Sequence, residues 1–106
     1  MQLPYSDAMS IAGPALEHFL VEWYRPAIVD EPLEASIARL IDCAESVSAS
    51  GTPVHLLATF AVPNDEIVFA VFDSASEQTV LDLCRQAGCP ANRLTAPIDA
   101  RFWRET

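Results

Sequence analysis

Hydrophobic spacing alternates along the chain between the two-residue repeat of strands and the longer repeat of helices. From Glu17 to Arg25 the run EHFLVEWYR is rich in β-branched and aromatic residues and closes at Pro26, which predicts a strand. Leu33, Ile37, Leu40, Ile41, Ala44 and Val47 then recur at helical spacing, while Glu34, Arg39, Asp42, Glu45 and Ser46 fall outside that stripe. A helix follows. Asp30 fits its N-cap, Glu31 sits well against the helix dipole, and Pro32 is tolerated in the first turn. Gly51 supplies the residue that commonly ends a helix.

Val54 to Val62 and Ile67 to Phe72 read as the second and third strands, and Pro63-Asn64-Asp65-Glu66 has the composition of the hairpin turn between them. Ser76 caps a second helix whose Val80, Leu83, Cys84 and Ala87 share a face, and Gly88 followed by Pro90 ends it. Leu94 to Phe102 is a fourth strand, which Pro97 confines to an edge or a bulge. The order β-α-β-β-α-β predicts an α+β, ferredoxin-like sandwich: an antiparallel four-stranded sheet with two helices on one face. It spans residues 17–103. Residues 1–16 carry Pro4, Gly13 and Pro14 without periodicity and read as a flexible extension; residues 104–106 are a short tail.

Two helices cover only one face of such a sheet, so the other needs a solution. On the first strand Phe19, Val21 and Trp23 share one side, and His18, Leu20, Glu22 and Tyr24 the opposite one. On the second, strict alternation sets Leu56, Ala58 and Phe60 against His55, Leu57 and Thr59. The third is apolar on both sides. A strand buried on both faces implies a further layer, which in a chain this short comes most simply from a second copy. A homodimer of the dimeric α+β barrel type, packed sheet to sheet or joined at an edge, is the expectation.

Composition narrows the partners. The net charge is −9, with fifteen acidic residues, six arginines and no lysine, so phosphate backbones and anionic lipids are repelled. Nucleic acid and membrane are therefore excluded as expected partners, whereas cations are favoured. No apolar run approaches the ~20 residues of a membrane span, and the first residues lack the features of a secretory signal, which points to the cytoplasm. Cys43, Cys84 and Cys89 make an odd count, which argues for reduced thiols.

If strict alternation holds, His18, Glu22, Tyr24, His55 and Thr59 lie on one sheet face. His18, Glu22 and His55 then suit a divalent transition metal, since two imidazoles and a carboxylate are donors for nickel, zinc or copper. Glu22, Tyr24 and Thr59 suit a small ligand, with Glu22 the leading residue because a carboxylate among strand formers needs solvent or a partner. The blander reading leaves both histidines partly exposed near strand ends and pairs Glu22 with an arginine. Asn64, Asp65 and Glu66 form a solvated acidic turn more readily than a cation loop. Cys84 fits the core and Cys89 is the more exposed thiol; their spacing matches neither a redox nor a zinc motif. Trp23 and Trp103 are candidates for an aromatic pocket or a subunit contact, with core packing the alternative for Trp23 and a disordered end for Trp103. No phosphate loop, nucleophile elbow or metalloprotease helix is present, so no nucleotide cofactor is expected.

FLVEWYRP at Phe19–Pro26, VPNDE at Val62–Glu66, FAVFDSAS at Phe69–Ser76 and RQAGCPANRL at Arg85–Leu94 together resemble the small bacterial ferredoxin-like proteins described as nickel-binding, a domain family of unknown function. The likeness spans Glu17 to about Ile98 and implies a ferredoxin-like subunit, a dimer and, more softly, bound metal; it carries no fixed ligand motif. Trp23 replaces the arginine usual in that family and Arg25 an apolar residue, both beside Glu22. Three functions follow as expectations. The first is a homodimeric binding protein holding a divalent metal such as nickel or a small ligand, without assured catalysis. The second is a cofactor-independent enzyme, monooxygenase- or isomerase-like. The third is a partner-binding module using the two-faced sheet or the N-terminal arm.

Overall fold

The computed structural model describes residues 16–24 and 32–103; residues 1–15, 25–31 and 104–106 lie outside them, and the first helix takes Pro32 as its N-cap residue in place of the expected Asp30. Strand β1 (Glu17–Tyr24) leads to helix α1 (Leu33–Ala49), strand β2 (Val54–Val62), strand β3 (Ile67–Ser74), helix α2 (Glu77–Gln86) and strand β4 (Arg93–Ile98). The strands form one sheet in the order β2-β3-β1-β4, and every neighbouring pair is antiparallel. This is the ferredoxin-like arrangement. The two central strands are β3, whose apolar residues recur on both sides, and β1, whose buried side carries Phe19, Val21 and Trp23.

Local chemistry sets the element ends. Ser76 caps α2, its hydroxyl oxygen accepting from the Thr79 amide at 3.1 Å. Both helices end on a left-handed glycine, Gly51 at φ 107° and Gly88 at φ 82°, a conformation that costs an L side chain energy. Past α2, the Cys89 amide reaches back to the Cys84 carbonyl at 2.9 Å and the Gly88 amide to that of Arg85 at 3.0 Å, satisfying two carbonyls left over by the helix. The β2–β3 hairpin turns through a short 3-10 segment, Pro63–Asp65, followed by Glu66 in the left-handed region. β4 stops at Ile98, four residues short of the expected Phe102, and the chain then leaves the sheet.

The core lies between one sheet face and the helices. Phe19, Val21 and Trp23 of β1 and Ala70 and Phe72 of β3 pack against Leu40 and Ala44 of α1 and Val80, Leu83 and Cys84 of α2. On α1 the small Ser36, not Ile41, takes a fully buried position, and Ile41 is exposed at the flank. Cys89, expected as the exposed thiol, is buried: the α2 terminus folds it under Trp23, whose indole N–H donates to the Cys89 carbonyl at 2.8 Å. Burial pushes the neighbouring Cys84 thiol up to about 12, with smaller upward contributions from Cys89 and Cys43. Arg39 ties the helices together, its Nε donating to the Ala87 carbonyl at 2.8 Å, where a cation also complements the dipole of α2. Among the described residues no helix is long and apolar enough to cross a membrane.

The largest departure from strict alternation is a bulge in β2 between Leu56 and Ala58. Leu56 pairs with Phe72, but Ala58 pairs with Val71, so Leu57 is the extra residue. Every side chain beyond it changes face relative to strict alternation. Ala58 and Phe60 join the face away from the helices, and Thr59 moves opposite the buried Ala70 on the helix side.

Candidate functional site

The registers arrange the face away from the helices in rows that run across the strands. Ile98, His18, Asp73 and His55 form the first row, from β4 to β2. Thr95, Leu20, Val71 and Ala58 form the second; Arg93, Glu22, Phe69 and Phe60 the third. Tyr24, Ile67 and Val62 complete the fourth on the three strands that reach it. Polar groups thus sit at the first row and beside β4, and an apolar strip runs between them.

The polar groups are tied to one another. His55 Nδ1 and Asp73 Oδ1 lie 2.7 Å apart, an exposed imidazole on a more covered carboxylate. Glu22, mostly covered, accepts from the Tyr24 hydroxyl at 2.8 Å through Oε1, and its Oε2 lies 3.8 Å from Nε of the exposed Arg93. The expected pairing of Glu22 with an arginine is therefore present. Asn92 fixes the end of this strand, its amide donating to the Glu22 carbonyl and its side-chain oxygen accepting from the Tyr24 amide. The His18 ring meets Phe102 edge to face, with centroids 6.1 Å apart.

Of the residues expected to share this face, His18, Glu22, Tyr24 and His55 do so, and Thr59 does not. The trio His18, Glu22 and His55 does not come together: Glu22 is two rows away from the histidines, engaged with Tyr24 and Arg93. Among the described residues no group of three His, Cys, Asp or Glu side chains is placed to hold a metal ion. The carboxylate that does stand between the histidines is Asp73, which strict alternation overlooks because the apolar run ends at Phe72. Its signal was present, since Phe69, Val71 and Asp73 continue one two-residue repeat.

The stretch after β4 also shapes the site. Ile98, Phe102 and Trp103 line a hollow of about 460 Å³ with Leu20, Phe60 and Val71 of the sheet. Val71 is only 3% exposed, whereas Phe60 remains 51% and Trp103 86% exposed. Arg101 is neutralised by Asp99, with Nε and Nη2 on the two carboxylate oxygens at 3.1 and 3.0 Å, and this bond raises the guanidinium pKa. A second hollow of about 450 Å³ lies on the flank between α1 and β2, lined by Ile41, Ala44, Val54 and Leu56, with Glu45 and His55 also on its wall. Trp23, in the core, lines neither.

No protein-family model matches the sequence, and no curated protein sequence does. Among solved structures the chain is similar to SCO4226 of Streptomyces coelicolor A3(2), with a TM-score of 0.63 and 18% identity over 78% of this chain and 99% of that one. At that identity the likeness shows the fold alone.

Proposed function

We propose that the protein is a small homodimeric binding protein of the dimeric α+β barrel type, with the face away from the helices as its binding surface. The observation that carries this reading is the apolar strip of that face, where Phe60 of the edge strand β2, paired with Phe69 of β3, is half exposed. An exposed apolar patch rimmed by polar residues is a common mark of an interaction site. The polar residues beside it are engaged pairwise, His55 with Asp73 and Glu22 with Tyr24 and Arg93, which suits holding and orienting better than proton transfer. Light scattering at micromolar concentration should give twice the 11.6 kDa chain mass. A mass near that of one chain sinks the dimer. The three cysteines form no disulfide with one another, which is in keeping with a reducing, cytoplasmic setting.

A divalent transition metal such as nickel is the second reading for the ligand. It is favoured by one observation: His18 and His55 both stand opposite Asp73 on the same face. As placed, the three do not form a ready site, because His55 is bonded to Asp73 and His18 rests on Phe102. The ligand set of this reading is His18, Asp73 and His55, with Glu22 outside it.

A further inference from the structure

We infer that the flank hollow between α1 and β2 binds a small apolar amine, its body against Ile41 and Val54 and its ammonium group shared by Glu45 and His55. This surface is separate from the open face, and binding there does not depend on the homodimer reading.

The hollow is apolar because two amphipathic elements meet there without closing. β2 is an edge strand, so among the described residues no strand flanks its outer side and the groove between it and α1 stays open. Val54 and Ala44 are buried in its floor, whereas Ile41, on the same helical stripe as Ala44, is 40% exposed. An apolar floor with an open side is the form of a small-molecule site, and the volume of about 450 Å³ falls within the roughly 300–1,000 Å³ usual for one.

The polar side chains on the wall decide the ligand. Ser48 is already engaged: its hydroxyl donates to the Val54 carbonyl at 2.8 Å and accepts from the Val54 amide at 3.0 Å. That pairing fastens β2 to α1 and withdraws the hydroxyl hydrogen from the hollow. His55 is oriented by Asp73, with Nδ1 2.7 Å from Oδ1. An ionised carboxylate only accepts, so Nδ1 carries a hydrogen, and in neutral imidazole Nε2 is then an acceptor. Glu45, exposed and in no ion pair among the described residues, adds a second acceptor and a negative charge.

The missing partner is a cation. Among the described residues no arginine lines the hollow. Arg39 is held on the Ala87 carbonyl, Arg85 on Asp82, Arg93 beside Glu22 and Arg101 on Asp99. A ligand must therefore bring both the donors and the positive charge, and its remainder must be apolar to match the floor. An alkyl or aryl ammonium does both. A carboxylate or phosphate would instead meet Glu45 and the −9 charge of the chain.

The test titrates the isotope-labelled full chain with phenethylamine and follows amide shifts by nuclear magnetic resonance. Saturable shifts should centre on Ile41, Val54 and Leu56, with a dissociation constant at or below about 1 mM. Phenylacetate, with a similar body and the opposite charge, and the uncharged phenethyl alcohol should bind at least tenfold more weakly. Glu45→Gln and His55→Phe should each weaken the amine severalfold. Ile41→Lys, at an exposed position, sets a cation in the hollow and should abolish binding, while Glu34→Gln, on the same helix but off the hollow, should leave it unchanged. Circular dichroism should be alike in all four variants. No saturable shift at the hollow overturns the proposal, as does phenylacetate or phenethyl alcohol binding as tightly as the amine. Shifts centred on Leu20 and Phe60 would move the ligand to the open face and overturn it as well. Equal affinity in the parent, Glu45→Gln and His55→Phe would overturn it too, since neither acceptor would then hold the ammonium group.

Discussion

The indole N–H of Trp23 donates a 2.8 Å hydrogen bond to the carbonyl oxygen of Cys89, joining a central strand to the turn that ends the second helix. Both residues are buried. The bond satisfies two groups at once: the one polar atom of the Trp23 side chain, and a main-chain carbonyl that lies beyond the helix ladder.

Trp23→Phe should therefore cost more than its lost volume. It leaves the Cys89 carbonyl without its indole donor and opens space beside α2, which together amount to about 2–4 kcal/mol. Denaturant unfolding measures this directly. A loss below about 1 kcal/mol would mean that water or a shifted side chain replaces the indole.

Cys84 should make stability fall at high pH. Its thiol is raised from 9.0 to about 12 in the folded chain, chiefly by burial, so the unfolded chain loses this proton first. Above pH 9 the folded state binds more protons than the unfolded state, and stability decreases as pH rises until the folded thiol itself ionises. The slope from this group is at most about 1.4 kcal/mol per pH unit. Urea titrations at several pH values above 9 should show that slope in the parent and its reduction in Cys84→Ala. Equal slopes in the two would remove Cys84 as the cause.

The thiols should also react in order. Cys43 is partly exposed, whereas Cys84 and Cys89 are buried, so a disulfide reagent under native conditions should label one thiol quickly. Quick labelling of two or three thiols would contradict the burial of the α2 terminus.

If a transition metal binds, Asp73→Asn, His18→Ala and His55→Ala should each weaken it by tenfold or more in calorimetry, and Glu22→Ala should leave it unchanged. Affinity should fall as the solution is made more acidic, because only neutral imidazole coordinates. Copper should bind more tightly than nickel, and nickel more tightly than cobalt. Loss of binding in Glu22→Ala alone would place the metal with Tyr24 and Arg93 instead.

Ser76→Ala removes the hydroxyl that accepts from the Thr79 amide at the start of α2 and should lower stability by about 1 kcal/mol. Thermal unfolding reads this as a midpoint lower by several degrees. An unchanged midpoint would show that solvent satisfies the amide equally well.

The residues by themselves determined the elements and their order. Ser76 at the start of α2, Gly51 and Gly88 after the helices, and Pro63 with Glu66 in the hairpin act over three or four neighbouring positions, and such signals survive in a linear reading. The same holds for Phe19, Val21 and Trp23, whose alternation places them on the buried face without knowledge of any partner strand. Alternation also places His18, Glu22 and Tyr24 on the open face, but tertiary structure decided which residues meet there. One extra residue at Leu57 sent Thr59 to the helix side and Phe60 to the open face, because a strand's two-residue period turns a single insertion into a change of face for all that follows. Cross-strand register brought Asp73 between His18 and His55, and packing of the α2 terminus under Trp23 buried Cys89. Those outcomes depend on contacts between residues far apart along the chain, and no local pattern encodes which distant partner a side chain meets.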